Sequence, residues 1–548
     1  MFLGPTLGTG LFIGAGQALA VGGPGSLLIS YIFLSLLTYF MATAVAEVAA
    51  HSPVKHGTLI THGFLYMRNS MGFAAACLRW YTLAMFVPYE MSSAMVNLGL
   101  WNPDRTTVVL IGVFTVVIVG SNFLSDRKFR SSEVLFYRIK LGNLICLLVL
   151  SLSVAIGGAS GHESNWGFRF WRKPGAFHEY LAGGLLGKFW GLMQCLLNSS
   201  IAFTLAPELI VQRIELAETV ALPEANNETQ PVKSKIIRKV NVDVAQCMVL
   251  YILSSLAMGI MAPFNEPLLT NAGTGAGLSP FIIGINAVRI RILPVTATLA
   301  ILLSSIGSAR SFLHLASHTL CALAEVNHAP RIFAIRNKWG VPWAAVVFTS
   351  MAGSFGFLCA AISSSIVTTY FMLFLNSSGY LSWLVSCGVY WRFRHRLRLQ
   401  GVTNADRFAV QPFATYFGFA SSAVMLVANG LVSVVPGNHN GPRGCRAIMA
   451  YIGIPAFCAF YLIHKCSNLA PSRFHSLDGS LNDAPRSPRP PKAPKAPTGR
   501  FHLRAPAPVA SQGRCRVPHG RFLEGPTAME VDQEWVVGKH EHDLERVV

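Results

Sequence analysis

Apolar residues dominate this chain in long blocks, and the polar positions gather between the blocks rather than alternating with them. Stretches of about 20 apolar residues, enough to cross a hydrocarbon core of about 30 Å, recur near 1–21, 25–49, 72–100, 106–124, 135–157 and 188–212. They continue near 243–264, 294–323, 341–362, 366–391, 412–434 and 446–464. The pattern predicts about twelve transmembrane helices, because a barrel would show alternating ten-residue segments instead. The first block contains a conflict. "GPTLGTGLFIGAG" (Gly4–Gly16) places Gly8, Thr9 and Gly10 inside an apolar run, although glycine is among the poorest helix formers.

Composition agrees with the blocks. The 548 residues are 52% hydrophobic and 13% charged, against roughly 25% charged in soluble domains, and the mean hydropathy is +0.45. The net charge of +19 does not read as a nucleic-acid footprint, because Lys and Arg crowd alternate loops. Arg127, Lys128 and Arg130 share one such loop, Lys233, Lys235, Arg238 and Lys239 another. Arg331, Arg336 and Lys338 form a third group, and Arg392, Arg394, Arg396 and Arg398 a fourth. The loop over 157–188 is the exception, with Arg169, Arg172, Lys173 and Lys188. By the positive-inside rule the crowded loops and both termini are expected in the cytoplasm.

The cysteines stand singly without a CxxC pair, so neither a zinc site nor a disulfide framework is indicated. The sequons at Asn227 and Asn376 fall in an expected cytoplasmic loop and inside a span, so neither is expected to carry glycan. The chain divides into a transmembrane domain over 1–466 and a tail over 467–548. "PRSPRPPKAPKAPTGR" in that tail is too rich in Pro, Lys and Arg to bury a core and reads as disordered and cytoplasmic. The same basic stretch could bind anionic lipid.

Non-helical backbone survives in a membrane only where it lines a cavity or is buried in protein. Gly8, Thr9 and Gly10 therefore support two readings. One is a broken helix whose freed N–H groups and dipole end meet an anion; the other is close packing of small residues.

The passage from "GTGLFIGAGQALAVGGPGSLLISY" to "AEVAAHSPV" resembles the fungal amino-acid permeases, the yeast branch of the amino acid–polyamine–organocation superfamily. "MGFAAACLRWYTLAMFVPYE", "SSEVLFYRIK", "GFRFWRKPGAFHEYL", "LSPFIIGI", "ASHTLCALAEVNHAPRIF", "NKWGVPW", "SSGYLSW" and "YWRFRHRLRLQGV" follow in the family's order. The resemblance covers roughly 4–435. It implies an all-α membrane protein with a leucine-transporter-like fold: five spans repeated inverted as the next five, plus two peripheral helices. It also implies proton-coupled import of amino acids across the plasma membrane, with protons and the bilayer as the other partners and no cofactor.

By that resemblance Gly8, Thr9 and Gly10 hold the substrate carboxylate, between broken spans one and six. In "NSSIAFTLAPELIV" Phe203 and Glu208 fit the family pattern, whereas Ala206 replaces an expected Gly. Pro207 lacks an N–H and can break the helix itself, releasing the carbonyl of Phe203 toward the substrate ammonium or making a plain kink. Glu90, a carboxylate inside an apolar span, is a candidate for substrate recognition or helix coupling, or a buried Glu fixing helix packing. Lys140 stands where sodium-coupled relatives bind their ion. It is read either as a proton-coupling group or as a snorkelling topology anchor. Glu133 and Glu208 join it as gating candidates, and Ser378, Gly379 and Trp383 as residues shaping the side-chain pocket.

Three departures from the family stand out. Met1 falls within the first span, so the family's leading segment is expected to be absent. "ETVALPEANNETQPVKSK" (Glu218–Lys235) replaces an acidic Asn-Pro-Arg stretch, and "SSIGSARSFLHLASH" carries Ala309, Arg310 and His318 at unusual positions. Arg310 is expected either to face a polar cavity and favour acidic substrates, or to mark a decayed gene copy. A transport-deficient nutrient receptor of the same fold is the competing functional reading. No nucleophile–base pair, metal cluster or phosphate loop points to an enzyme.

Overall fold

The computed structural model describes residues 10–51, 58–98, 107–156, 167–221, 230–270, 277–287, 292–401, 408–434 and 443–469. Gly8, Thr9, Asn227 and the tail beyond 469 lie outside them. Every described regular element is helical. The first span opens with a π-turn, Gly10–Gly14, and runs into α1 (Ala15–His51). α2 (Thr58–Tyr66), α3 (Asn69–Leu98), α4 (Thr107–Asn122) and α5 (Asp126–Ile156) follow. Then come α6 (Gly184–Ser199), α7 (Ala206–Ala221), α8 (Gln230–Met261), α9 (Pro280–Ala287) and α10 (Ile292–Glu325). α11 (Trp343–Ser350), α12 (Leu358–Ala361), α13 (Ser364–Leu399), α14 (Phe413–Val434), α15 (Arg443–Tyr451) and α16 (Gly453–Leu469) complete the order.

Each of the twelve apolar blocks, where described, falls on helix. Among the described residues, eight helical stretches, one of them joining α6 to α7 and one joining α11 to α12, are long and apolar enough to span a membrane, and α15 with α16, bent by 46°, makes up to a ninth. The first two blocks are continuous in hydrogen bonding but not in direction. Gly23 takes φ +80° and ψ 171°, a left-handed conformation open to glycine, with Pro24 after it. The backbone groups released there are recaptured by the loop before α6: Gly25 N–H donates to the Ala176 carbonyl at 2.7 Å and His178 N–H to Gly22 at 3.0 Å. The kink persists because its polar atoms are satisfied by protein.

Two groups of helices emerge from the packing. α1 lies against α6, α7 and α8, while α3 packs on α10, with α4 and α5 also against α10. α13 touches both α1 and α3. α4, α7, α10 and α13 each run toward a basic stretch of the sequence, and the end toward which they run is called here the basic-loop side. Val109, Val116, Val149 and Leu152 on α4 and α5 are more than half exposed, as expected of a lipid-facing surface.

Candidate binding site between two broken helices

Two helices lose regularity at the same depth and meet there. The first is the π-turn at Gly10–Gly14; the second is a 3₁₀ turn, Ser200–Ala202, between α6 and α7. A Cβ on Gly10 would sit 3.3 Å from the Cα and N of Ala202 and 3.4 Å from the carbonyl carbon of Ile201. A side chain here would force the neighbouring backbone to give by a few tenths of an ångström, so glycine lets the two breaks approach this closely.

The second break is held by groups far away in sequence. The Phe203 carbonyl, which Pro207 deprives of its i+4 donor, accepts the Ala206 N–H at 3.0 Å. It is therefore not released toward a ligand as the sequence suggests; a tighter turn satisfies it. The Tyr251 hydroxyl donates to the Ala202 carbonyl at 3.3 Å, and the Trp383 indole donates to that of Thr204 at 2.9 Å. The Phe203 ring packs edge-on to Tyr31 and Tyr251, with centroids 5.4 and 4.8 Å apart. Trp383 thus holds the break rather than lining a pocket. A Cβ on Gly379 would lie 1.9 Å from Thr204 Cγ2, so glycine there allows α13 to seat on the same turn.

Beside the junction lies a small, partly open cavity of about 20 Å³. One wall is Gly10, Ile201, Ala202, Leu205, Ala206 and Leu209; the facing wall is Phe86, Tyr89, Glu90 and Phe312. Of the sequence candidates, Gly10, Ala206 and Glu90 are brought together here. Phe203 and Ser378 are not. The Ser378 hydroxyl faces Tyr81, 3.4 Å away, and the Phe374 carbonyl at 3.1 Å, against α3 and its own helix.

A row of serines on α10 organises the polar candidates. Ser305 Oγ donates to the Glu90 carbonyl at 2.6 Å, Lys140 Nζ donates to Ser308 Oγ at 2.5 Å, and Ser311 Oγ donates to Glu133 at 3.4 Å. Ser305, Ser308 and Ser311 recur every three residues and so share one helix face. Glu90, Glu133 and Arg310 are among the charges that act on Lys140. The signal for this row is the three-residue spacing of serines in "SSIGSARS", beside the more conspicuous Arg.

Arg310 points away from the cavity. Its Nη2 donates to Ser132 Oγ at 2.7 Å and to the Phe129 carbonyl at 3.3 Å. The guanidinium stacks over Phe129 and Phe136, 4.3 and 5.0 Å from their centroids. The cation is held by α5, so its placement lends no support to the expected preference for acidic substrates. Arg310→Asn is expected to lower membrane abundance through a loss of about 2 kcal/mol, with amino-acid selectivity unchanged. Competition assays at matched protein levels check this.

Glu208 carries a partner that sequence reading missed. Arg79, inside the apolar α3, forms an ion pair with it, and both side chains are 2% exposed. Arg79 also donates to Gln212, and Ser382 to Glu208. An arginine in the middle of "AAACLRWYTL" was the available signal.

One family model, that of amino acid permeases, matches residues 1–470. The chain belongs to the amino acid permease family. The permease is 31% identical to the probable proline-specific permease put4 of Schizosaccharomyces pombe, over 84% of this chain and 81% of that one. It is 30% identical to the proline-specific permease of Emericella nidulans, over 84% and 82% of the two chains. The dicarboxylic amino acid permease of Saccharomyces cerevisiae shares 29%, over 84% and 75%. Among solved structures, a mutant of the manganese transporter of Eremococcus coleocola aligns with a TM-score of 0.50 at 14% identity, over 85% and 93% of the chains. The permease thus has the leucine-transporter-like architecture of a membrane transporter, and its relatives are transporters rather than enzymes.

Proposed function

We propose that this permease imports a compact neutral amino acid, proline or one like it, across the plasma membrane by alternating access coupled to protons. The observation that carries the reading is the cavity beside the two breaks, whose charged lining among the described residues is the single carboxylate of Glu90 amid mostly apolar side chains and the Tyr89 ring. Backbone freed at Gly10, together with Gly8 and Thr9 beside it, would meet the substrate carboxylate, and Glu90 the amino group. Phe86, Tyr89, Leu205 and Leu209 would line the site around a small, mostly apolar body as the cavity opens, and they offer no cation to an acidic side chain. The likeness to relatives named as proline-specific permeases supports the same choice.

Lys140, with Glu133 beyond it, is the group assigned to proton coupling, since it is 4% exposed and lies in the field of Glu90. The test is uptake of labelled proline by yeast lacking its own amino-acid permeases. Saturable uptake is expected, faster at acidic external pH and competed by neutral but not by acidic or basic amino acids. Binding without uptake, with the protein present in the membrane, would instead identify a nutrient receptor.

A further inference from the structure

We propose that Arg79 is the latch of the gate on the basic-loop side of the permease, a positioning residue that closes the exit beneath the cavity by gripping Glu208. The proposal rests on the alternating-access reading and names the side chains that such a motion must part.

The cavity lies on the seam between the two helix groups: α7 and the breaks form one wall, α3 and α10 the other. Along this seam α3 and α7 barely approach each other through their backbones, and side chains must close it. Arg79 lies seven residues before Phe86 on α3, which by helical rise is about 10 Å nearer the basic-loop side. From there it reaches across to Glu208 and to Gln212, one turn further along α7. Ser382 of α13 completes the cluster by donating to the same carboxylate. The guanidinium thus ties α3 to α7, and the carboxylate it grips joins α13 through Ser382.

A second layer follows in the same direction. Glu47, near the end of α1, pairs with Arg394 near the end of α13, and the Tyr390 hydroxyl donates to Glu47 at 3.0 Å. Glu47 is fully buried and Arg394 slightly exposed. Both layers join an element of the α1–α7 group to one outside it, so rocking of one group against the other must stretch both. The first layer lies nearer the cavity and is the more deeply buried on its cationic side. Parting Arg79 from Glu208 exposes two desolvated charges unless water or a substrate carboxylate replaces the partner. That makes the closed state discrete rather than gradual.

The experiment measures access to the cavity wall and needs no substrate. Leu209→Cys places a thiol on that wall, and a membrane-impermeant maleimide is added from the basic-loop side, with the parent lacking this change as background. Arg79→Gln is expected to speed labelling about tenfold, a modest shift for a two-state equilibrium, and only from this side. Arg79→Lys is expected to restore part of the protection, and the exchanged pair Arg79→Glu with Glu208→Arg more of it than either single change.

Labelling at the parent rate in Arg79→Gln, or equal acceleration from both sides, overturns the latch. Where Arg79→Gln does not reach the membrane, Ser382→Ala and Gln212→Leu remove the supporting hydrogen bonds and keep both charges. Faster one-sided labelling in them supports the proposal, and parental rates in both overturn it. A permease that carries no proline but shows these labelling rates would fail the substrate assignment and keep the gate.

Discussion

Gly10→Val is expected to reduce uptake about a hundredfold, the cost of misplacing reacting or binding groups by an ångström, while the protein still reaches the membrane. The reason is the contact between the two breaks. A Cβ at this position already meets the Ala202 backbone at 3.3 Å, and backbone cannot rotate away as a side chain can. Valine adds two methyl groups beyond that atom, so one break must move and carry a cavity wall with it. Gly10→Ala asks its neighbours to yield only a few tenths of an ångström and should keep a measurable fraction of uptake. Labelled amino-acid uptake, normalised to membrane protein by immunoblot, checks both. Parental uptake by the valine variant would mean that the junction of the breaks does not hold the substrate.

Lys140→Met should strip uptake of its dependence on external pH. Under the proposed proton coupling the parent runs faster in acid, because an inward proton gradient would then drive the substrate. The variant should show one rate at acidic and neutral external pH, about tenfold below the parent in acid, a typical coupling factor. Exchange of internal for external substrate should persist, since Gly10 and the cavity walls are untouched. Methionine fills similar volume but cannot donate to Ser308, from which Lys140 Nζ is 2.5 Å away. A pH profile identical to the parent would return Lys140 to a structural role on the α5–α10 interface. Uptake and exchange measured on the same cells separate these outcomes.

Much of the architecture was legible because it depends on local composition. The apolar blocks mark the helices, Gly23 and Pro24 mark the kink, and Gly10 and Pro207 mark the two breaks. Glu90 and Lys140 stand out as charges in apolar surroundings, and both are buried. Other placements were not legible, for one shared cause. Pro207 shows that the Phe203 carbonyl loses a donor, but not that Ala206 tightens the turn and replaces it. Arg310 and Ser378 sit on helices buried on several sides, so their positions in the chain do not say which neighbour they face. Arg79 is hard to place from sequence because its partner is 129 residues away.

The sequence by itself determined the class, where the helical blocks lie, and the two places where helical regularity fails. These follow from transfer free energy and backbone geometry, which act residue by residue. Tertiary structure alone decided which charges meet. It set Arg79 on Glu208, turned Arg310 onto Phe129 and Ser132, and lined up Ser305, Ser308 and Ser311 against Glu90, Lys140 and Glu133. In a bundle whose helices are apolar nearly all round, no hydrophobic stripe distinguishes one neighbour from another. Pairing is then fixed only when the helices pack and each buried polar group must find a partner.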